Sequence, residues 1–226
     1  MLLEVRNLTK YFKSSGVKAV DDVSFSVKEG ETLGIMGESG SGKSTLAKLI
    51  LKLIPADSGQ IFFEDKNISA IGEKGLKNFR KSTQIVFQEP VRSLDPRMTV
   101  EKILKEPFIV NRERRKEYLN ERVAALLKDV ELPEKFYSRT PHELSGGECQ
   151  RVAIARAISL NPRLIVCDEA VSSLDALVRA QILNLLLKLQ KERSMAYIFI
   201  SHDLKVVRHM SDRLLIIKGG KAHVVN

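Results

Sequence analysis

A chain of 226 residues with 43% hydrophobic residues and a net charge of +9 is long enough to bury one large core or two small lobes, which excludes a disordered segment. No apolar run approaches the roughly 18 residues of a membrane span, and Met1-Leu2-Leu3-Glu4-Val5-Arg6 meets charge too early for a secretory signal, so the chain reads as intracellular and not itself embedded. The charge would suit nucleic acid, an anionic membrane surface or an acidic partner, but basic residues cluster only at Arg112-Glu113-Arg114-Arg115-Lys116, which reads as a solvated helix face. In chain order, residues 2–8 and 23–27 alternate apolar with polar, as half-buried strands do, and 32–36 is an apolar run. Residues 60–64 and 84–87 are short strands, and 164–167 and 196–200 are solid apolar runs that suit strands buried on both faces. Helical periodicity appears at 44–53, 116–130, 147–159 and 176–191. The strand-rich start, helix-rich middle and return to alternation imply a discontinuous architecture, an α/β core (1–88 and 161–226) with an inserted helical lobe (89–160). The Pro-rich and charged stretch 89–106 is expected to be a mobile junction. Cys149 and Cys167 lie in different elements without metal-type spacing and read as two reduced thiols.

Between the run 32–36 and the helix 44–53 lies Gly37-Glu38-Ser39-Gly40-Ser41-Gly42-Lys43-Ser44-Thr45, a phosphate-binding loop in its strand-loop-helix context. Glycines let backbone N–H groups turn inward around phosphates, and the following helix adds its positive end. Lys43 is placed to reach the β- and γ-phosphates of a nucleoside triphosphate, and Ser44 to ligate Mg²⁺.

Leu164-Ile165-Val166-Cys167-Asp168-Glu169 is an apolar strand ending in two acids, beside the phosphate loop in a doubly wound sheet. Asp168 is expected to hold Mg²⁺ through water, and Glu169 to accept a proton from the water attacking the γ-phosphate. Leu144-Ser145-Gly146-Gly147-Glu148-Cys149-Gln150-Arg151 opens a helix with the Ser hydroxyl and glycine N–H groups at its positive end, a second anion site. One chain needs only one γ-phosphate cradle, so this surface would serve a nucleotide held by another subunit. By spacing alone the same residues equally suit a capped helix.

These motifs together resemble the ATP-binding cassette (ABC) ATPases, whose signature is Leu-Ser-Gly-Gly-x-x-Gln-Arg, and the resemblance covers essentially the whole chain. It implies a P-loop core with an antiparallel β subdomain and an inserted α-helical subdomain. It also implies that Gln88 touches Mg²⁺ or the attacking water, that His202 contacts the γ-phosphate, and that Ser172-Ser173-Leu174-Asp175 is the loop crossing a dimer interface. In Thr9-Lys10-Tyr11-Phe12, Phe12 aligns best with the aromatic that stacks on adenine, with Tyr11 as close competitor. Segments 17–25, 85–90 and 93–100, with Pro141-His142-Glu143-Leu144, look like the ATP-binding subunits of bacterial oligopeptide, dipeptide and nickel importers. Cys149, Ala170 and Ser173 depart from the usual pattern without removing a phosphate or proton contact. The chain stops at Asn226 without the C-terminal extension of many such subunits, as a shorter subunit or a truncated one would.

The resemblance therefore implies an ATPase binding ATP and Mg²⁺ and pairing head to tail with a second ABC ATPase subunit, a copy of itself or a different chain. It implies two membrane-spanning permease subunits, docking near 88–100, and indirect action with an extracytoplasmic binding protein, at the cytoplasmic face of the inner membrane. Peptide leads over nickel as cargo. Two alternatives differ in hardware: a soluble ABC ATPase acting on nucleic acid should carry a long coiled coil or a second cassette, and the importer-like segments disfavour an exporter motor.

Overall fold

Alternation and solid apolar runs resolve into two separate sheets in the structure, a computed structural model that describes residues 1–14 and 16–225. In chain order the elements are β1 (Leu3–Phe12), β2 (Val17–Val27), β3 (Thr32–Met36), α1 (Lys43–Ile50), β4 (Ser58–Phe63), β5 (Lys66–Asn67), α2 (Glu73–Ser82) and β6 (Thr83–Val86). There follow α3 (Pro90–Ser93), α4 (Val100–Val110), α5 (Lys116–Asp129), α6 (Gly146–Ile158), β7 (Leu164–Asp168), α7 (Ala176–Arg193), β8 (Ala196–Ile200), α8 (Leu204–Met210), β9 (Arg213–Lys218) and β10 (Lys221–Val225). Strands β2-β1-β4-β5 form an antiparallel sheet, and β10-β9-β3-β8-β7-β6 a second sheet whose members are parallel apart from β10.

The second sheet divides two hydrophobic cores, which is why its strands read as unbroken apolar runs. Along β7 and β8, Ile165, Cys167, Tyr197 and Phe199 face the helical side, while Leu164, Val166, Ala196, Ile198 and Ile200 face α1 and the antiparallel sheet. Period-2 geometry sends successive side chains to opposite faces, so a strand covered on both must be apolar at every position. The helical lobe has no core of its own. Val123, Leu126, Val152 and Ile154 belong to the same cluster as the sheet residues Ile165 and Phe199, so the lobe is packed onto the sheet.

The stretch 89–106, expected to be a mobile junction, holds α3 and most of α4. Val100, Ile103, Leu104 and Phe108 recur at helical spacing and are buried, and Thr99 caps the helix by accepting from the Lys102 N–H at 3.4 Å. Pro107 inside the helix and the surrounding charges hid this pattern from composition. Helices α2 and α8 and the β9–β10 hairpin are further regular elements that match none of the expected runs. Cys149 and Cys167 are free and buried, and burial pushes the Cys167 thiol up to about 12.

Candidate nucleotide site

Four parallel neighbours, β3, β8, β7 and β6, point their carboxyl ends to one edge of the sheet. The phosphate loop follows β3, His202 follows β8, Asp168 and Glu169 end β7, and Gln88 follows β6. Residues far apart in sequence thereby meet at one rim, the place where open α/β sheets bind ligands. Ser39, Gly40, Gly42, Lys43, Ser44, Thr45, Gln88, Glu169 and His202 line a single cleft of about 620 Å³, with Ala19 from β2 closing one side. Gly37, Glu38 and Ser41 face a smaller hollow behind the loop, toward β9.

Two glycines of the loop are forced by close approach. Gly42 has φ of 108°, and a side chain there would place its Cβ 2.0 Å from the Ala19 carbonyl oxygen. At Gly37 the Cβ would lie 2.2 Å from that of Ile217. The ladder between β1 and β2 skips Ala19, stepping from the pair Lys10 with Val20 to Tyr11 with Lys18. Lys43 is buried and donates its ammonium protons to the carbonyls of Gly37 and Glu38, both at 2.8 Å. It thus stands at the mouth of the loop with a cation held by neutral acceptors, which a phosphate oxygen can replace with a stronger, charge-assisted bond.

Ser44 Oγ donates to Asp168 Oδ1 at 3.2 Å. Burial pushes the Asp168 carboxyl above the usual carboxylate range, with Glu169 adding repulsion, while the Ser44 hydrogen bond and Lys48 and Lys43 oppose the shift. Glu169 Oε2 lies 3.2 Å from His202 Nδ1. Its backbone is left-handed, with φ of 50°, and is held by its N–H to Ile200 O at 3.0 Å and by Ser172 N–H to its own carbonyl at 3.1 Å. A non-glycine residue rarely adopts that conformation, and it aims the carboxylate away from the strand line toward the cleft.

Other expected residues lie apart. Tyr11 and Phe12 are 44% and 36% exposed at the end of β1, and neither ring lines the cleft. Lys10 Nζ stands 5.7 Å from the Phe12 ring centre and 3.0 Å from Asp57 Oδ1, and Asp57 Oδ2 accepts the Tyr11 N–H at 2.5 Å. Ser145, Gly146 and Gly147 open α6 outside the cleft. The exposed Ser145 caps its own helix: its hydroxyl accepts from Glu148 N–H at 3.3 Å, and Glu148 Oε2 accepts from Ser145 N–H at 2.7 Å. Gly147 sits against α7, where a Cβ would meet Val178 Cγ1 at 2.5 Å. Gly146 meets only Leu174 Cδ2, at 3.8 Å.

The family described as ABC transporter matches residues 20–172, more than half of the chain. The chain belongs to the ABC transporter family. It is 49% identical to the oligopeptide transport ATP-binding protein AppF of Bacillus subtilis, over 97% of this chain and 70% of that protein. It is 42% identical to the oligopeptide transport ATP-binding protein OppF of Escherichia coli, over 98% of this chain and 70% of that one. Among solved structures, a post-hydrolysis dimer of the ATP-binding cassette MJ0796 bound to ADP and Pi superposes with a TM-score of 0.88 at 31% identity, covering 100% of this chain and 99% of that one. CbiO1 of Clostridium perfringens superposes at 0.87, with 31% identity over 100% of this chain and 87% of that one. The fold is therefore that of the ABC ATPases, with the antiparallel sheet and helical insertion the resemblance implied.

Against that family pattern the departures find physical places. Cys149 and Ala170 are buried, at 0% and 1% exposure. Ser173 Oγ donates to the Gln88 carbonyl at 3.4 Å, a link no alanine could make. Ala19, Arg179 and Asp203 also belong to the neighbourhood, and nothing in their spacing along the sequence marks a contact made only across the fold.

Proposed function

We propose that this ABC family chain is the ATP-hydrolysing motor subunit of a bacterial peptide importer, resting on one observation above all: six chemically matched residues from four strand ends meet at one rim. Lys43 exchanges the Gly37 and Glu38 carbonyls for the β- and γ-phosphates, and the glycine cradle supplies backbone N–H groups. The hydroxyl of Ser44 and carboxylate of Asp168, 3.2 Å apart, are hard oxygen donors that fit Mg²⁺, with Gln88 alongside. Bound there, Mg²⁺ would neutralise charge between the β- and γ-phosphates. Glu169 accepts the proton of the attacking water, and His202, in contact with it, faces the γ-phosphate.

In this reading two chains pair head to tail, and Ser145 to Gly147 of each completes the other's site, which is supported by the position of these residues outside their own cleft. Whether the second ATPase is a copy or a different subunit, closure on ATP and reopening after hydrolysis drive transport. The lobe (89–160) would move against the core (1–88 and 161–226), with Gln88 at the joint. A second cavity of about 630 Å³ between α2, β6, α4 and α6, with Phe87 and Val110 exposed in its lining, flanks the segment 88–100 on both sides in sequence and supports docking of permease helices there, extended to 106–111. Among the described residues no helix is long and apolar enough to cross a membrane, so two permease subunits would hold this one at the cytoplasmic face, with an extracytoplasmic binding protein choosing cargo. The oligopeptide names of the relatives favour peptide over nickel. The test is in two parts: affinity purification from native membranes, and uptake by cells whose gene for this chain is disrupted. Two permease chains should co-purify, and uptake of a labelled oligopeptide should be lost while nickel uptake persists. Lost nickel uptake with intact peptide uptake would overturn the cargo, and salt-sensitive capture of DNA without permeases would overturn the importer reading.

A further inference from the structure

Glu169 and His202 belong to two segments, 169–175 and 201–204, whose roots are joined by the Glu169 N–H to the Ile200 carbonyl at 3.0 Å and whose functional groups meet at 3.2 Å. Both contacts lie at Glu169, so neither holds the far end of the loop, 172–175, against Asp203. Arg179, one turn into α7 and outside the cleft lining, makes that further connection. Its Nη2 donates to the Leu174 carbonyl at 3.0 Å, and its Nη1 reaches Asp203 Oδ2 at 3.5 Å. Both ends of this bridge are themselves anchored. The loop 172–175 is fixed at its start by Ser172, whose Oγ donates to the Glu169 carbonyl at 2.9 Å, and at its end by Asp175, which caps α7 by accepting from Val178 N–H at 3.0 Å. Asp203 caps α8 with its other oxygen, accepting from Lys205 N–H at 2.9 Å and Val206 N–H at 3.3 Å, so Oδ2 is left to face Arg179. Arg179 Nε is buried with no acceptor among the described residues, so the guanidinium sits where its two bridging contacts put it, at the expense of its third nitrogen.

We propose that Arg179 is a positioning residue for hydrolysis, tying loop 172–175 to Asp203 so that Glu169 and His202 stay aligned. The inference rests on the reading of Glu169 and His202 as the hydrolytic pair. With the strand-end bond and the contact between functional groups at Glu169, and the Arg179 tie between loop carbonyl and carboxylate beyond it, the two segments cannot shift against each other without breaking a contact. The planar guanidinium spans the Leu174 carbonyl and the Asp203 carboxylate from two nitrogens held in fixed geometry, whereas a lysine ammonium would have to draw both acceptors to a single nitrogen.

The test is steady-state ATP hydrolysis by Arg179→Gln, Arg179→Lys, Asp203→Asn and the double variant Arg179→Gln/Asp203→Asn, each with its thermal midpoint. Asp203→Asn keeps the oxygen that caps α8. Arg179→Gln should lower kcat about tenfold with KM for ATP within about twofold, and Arg179→Lys should fall between it and wild type. Because the two residues act through one contact, the double variant should lose no more than the worse single one. A wild-type kcat in Arg179→Gln, or losses that multiply in the double variant, would overturn the tie. If Arg179→Gln does not fold, Arg179→Lys at wild-type kcat and midpoint overturns it equally. Glu169→Gln and His202→Ala are measured beside these. Near wild-type hydrolysis by both would reject the hydrolytic pair itself, whereas their inactivity with an unaffected Arg179→Gln would reject only the tie.

Discussion

Adjacent glycines at the head of α6 separate a packing requirement from a functional one. A methyl group at Gly147 would lie 2.5 Å from Val178 Cγ1, far inside contact distance, and a valine in a helix has little rotamer freedom with which to retreat. Overpacking of this kind costs about 1–3 kcal/mol, partly offset by up to about 1 kcal/mol from replacing glycine in a helix. Gly147→Ala should therefore lose up to about 2 kcal/mol, a fall of several degrees in the thermal midpoint at about 2–4 °C per kcal/mol for this size. At Gly146 the same methyl meets only Leu174 Cδ2, at an ordinary 3.8 Å, so Gly146→Ala should fold as well as wild type or slightly better. Among the described residues nothing demands glycine at 146, so a loss of hydrolysis there points to what approaches from outside. If that is a γ-phosphate bound to a partner subunit, Gly146→Ala should bind ATP normally yet hydrolyse it about 10²-fold more slowly, the scale of a lost oxyanion donor. The assay is phosphate release at a protein concentration that supports dimers, with calorimetry for folding and ATP binding. Mixing Gly146→Ala with Lys43→Ala protein should restore part of the activity in a homodimer, since one composite site then carries both lesions and the other neither. Wild-type turnover by Gly146→Ala, with its midpoint unchanged, would refute the in-trans reading of this surface.

Other consequences follow from the cleft. Glu169→Gln should leave ATP affinity nearly unchanged, lower turnover by about 10²-fold or more and trap a closed dimer with ATP, seen by size-exclusion chromatography; hydrolysis at near wild-type rate would remove Glu169 from the role of base. Alanine at whichever of Phe12 and Tyr11 stacks on the base should weaken ATP binding by about 1–3 kcal/mol by titration, and GTP should bind too; loss in neither variant would leave both rings as inert surface. Because burial raises the Asp168 carboxyl above its unfolded value, its stabilising contribution is fully present below the usual carboxylate range and is lost as pH rises through the raised folded value. Asp168→Asn should then raise the thermal midpoint of the nucleotide-free protein at neutral pH while impairing Mg²⁺-dependent hydrolysis, and a lowered midpoint would contradict the desolvation argument.

Much of this protein was legible in residue order because its chemistry is local. The phosphate loop is a contiguous run whose glycines, lysine and serine declare a backbone path and a ligand together, and solid apolar runs such as 164–167 record burial on both faces of a strand. Helix α4 was not legible for the opposite reason: Pro107 and flanking charges mask four buried residues, on a helix that packs against α5 and α6. The neighbours of the cleft required the fold itself. Strand order brings Gln88, Glu169 and His202 together although 81 and 33 positions separate them, and that order is set by pairing energies no window of sequence contains. The same holds for Ala19, whose carbonyl forbids a side chain at Gly42, and for Arg179, whose partners lie 5 and 24 positions away. Local composition determined which groups are available for chemistry; the parallel sheet, by aligning its carboxyl ends, decided which of them meet.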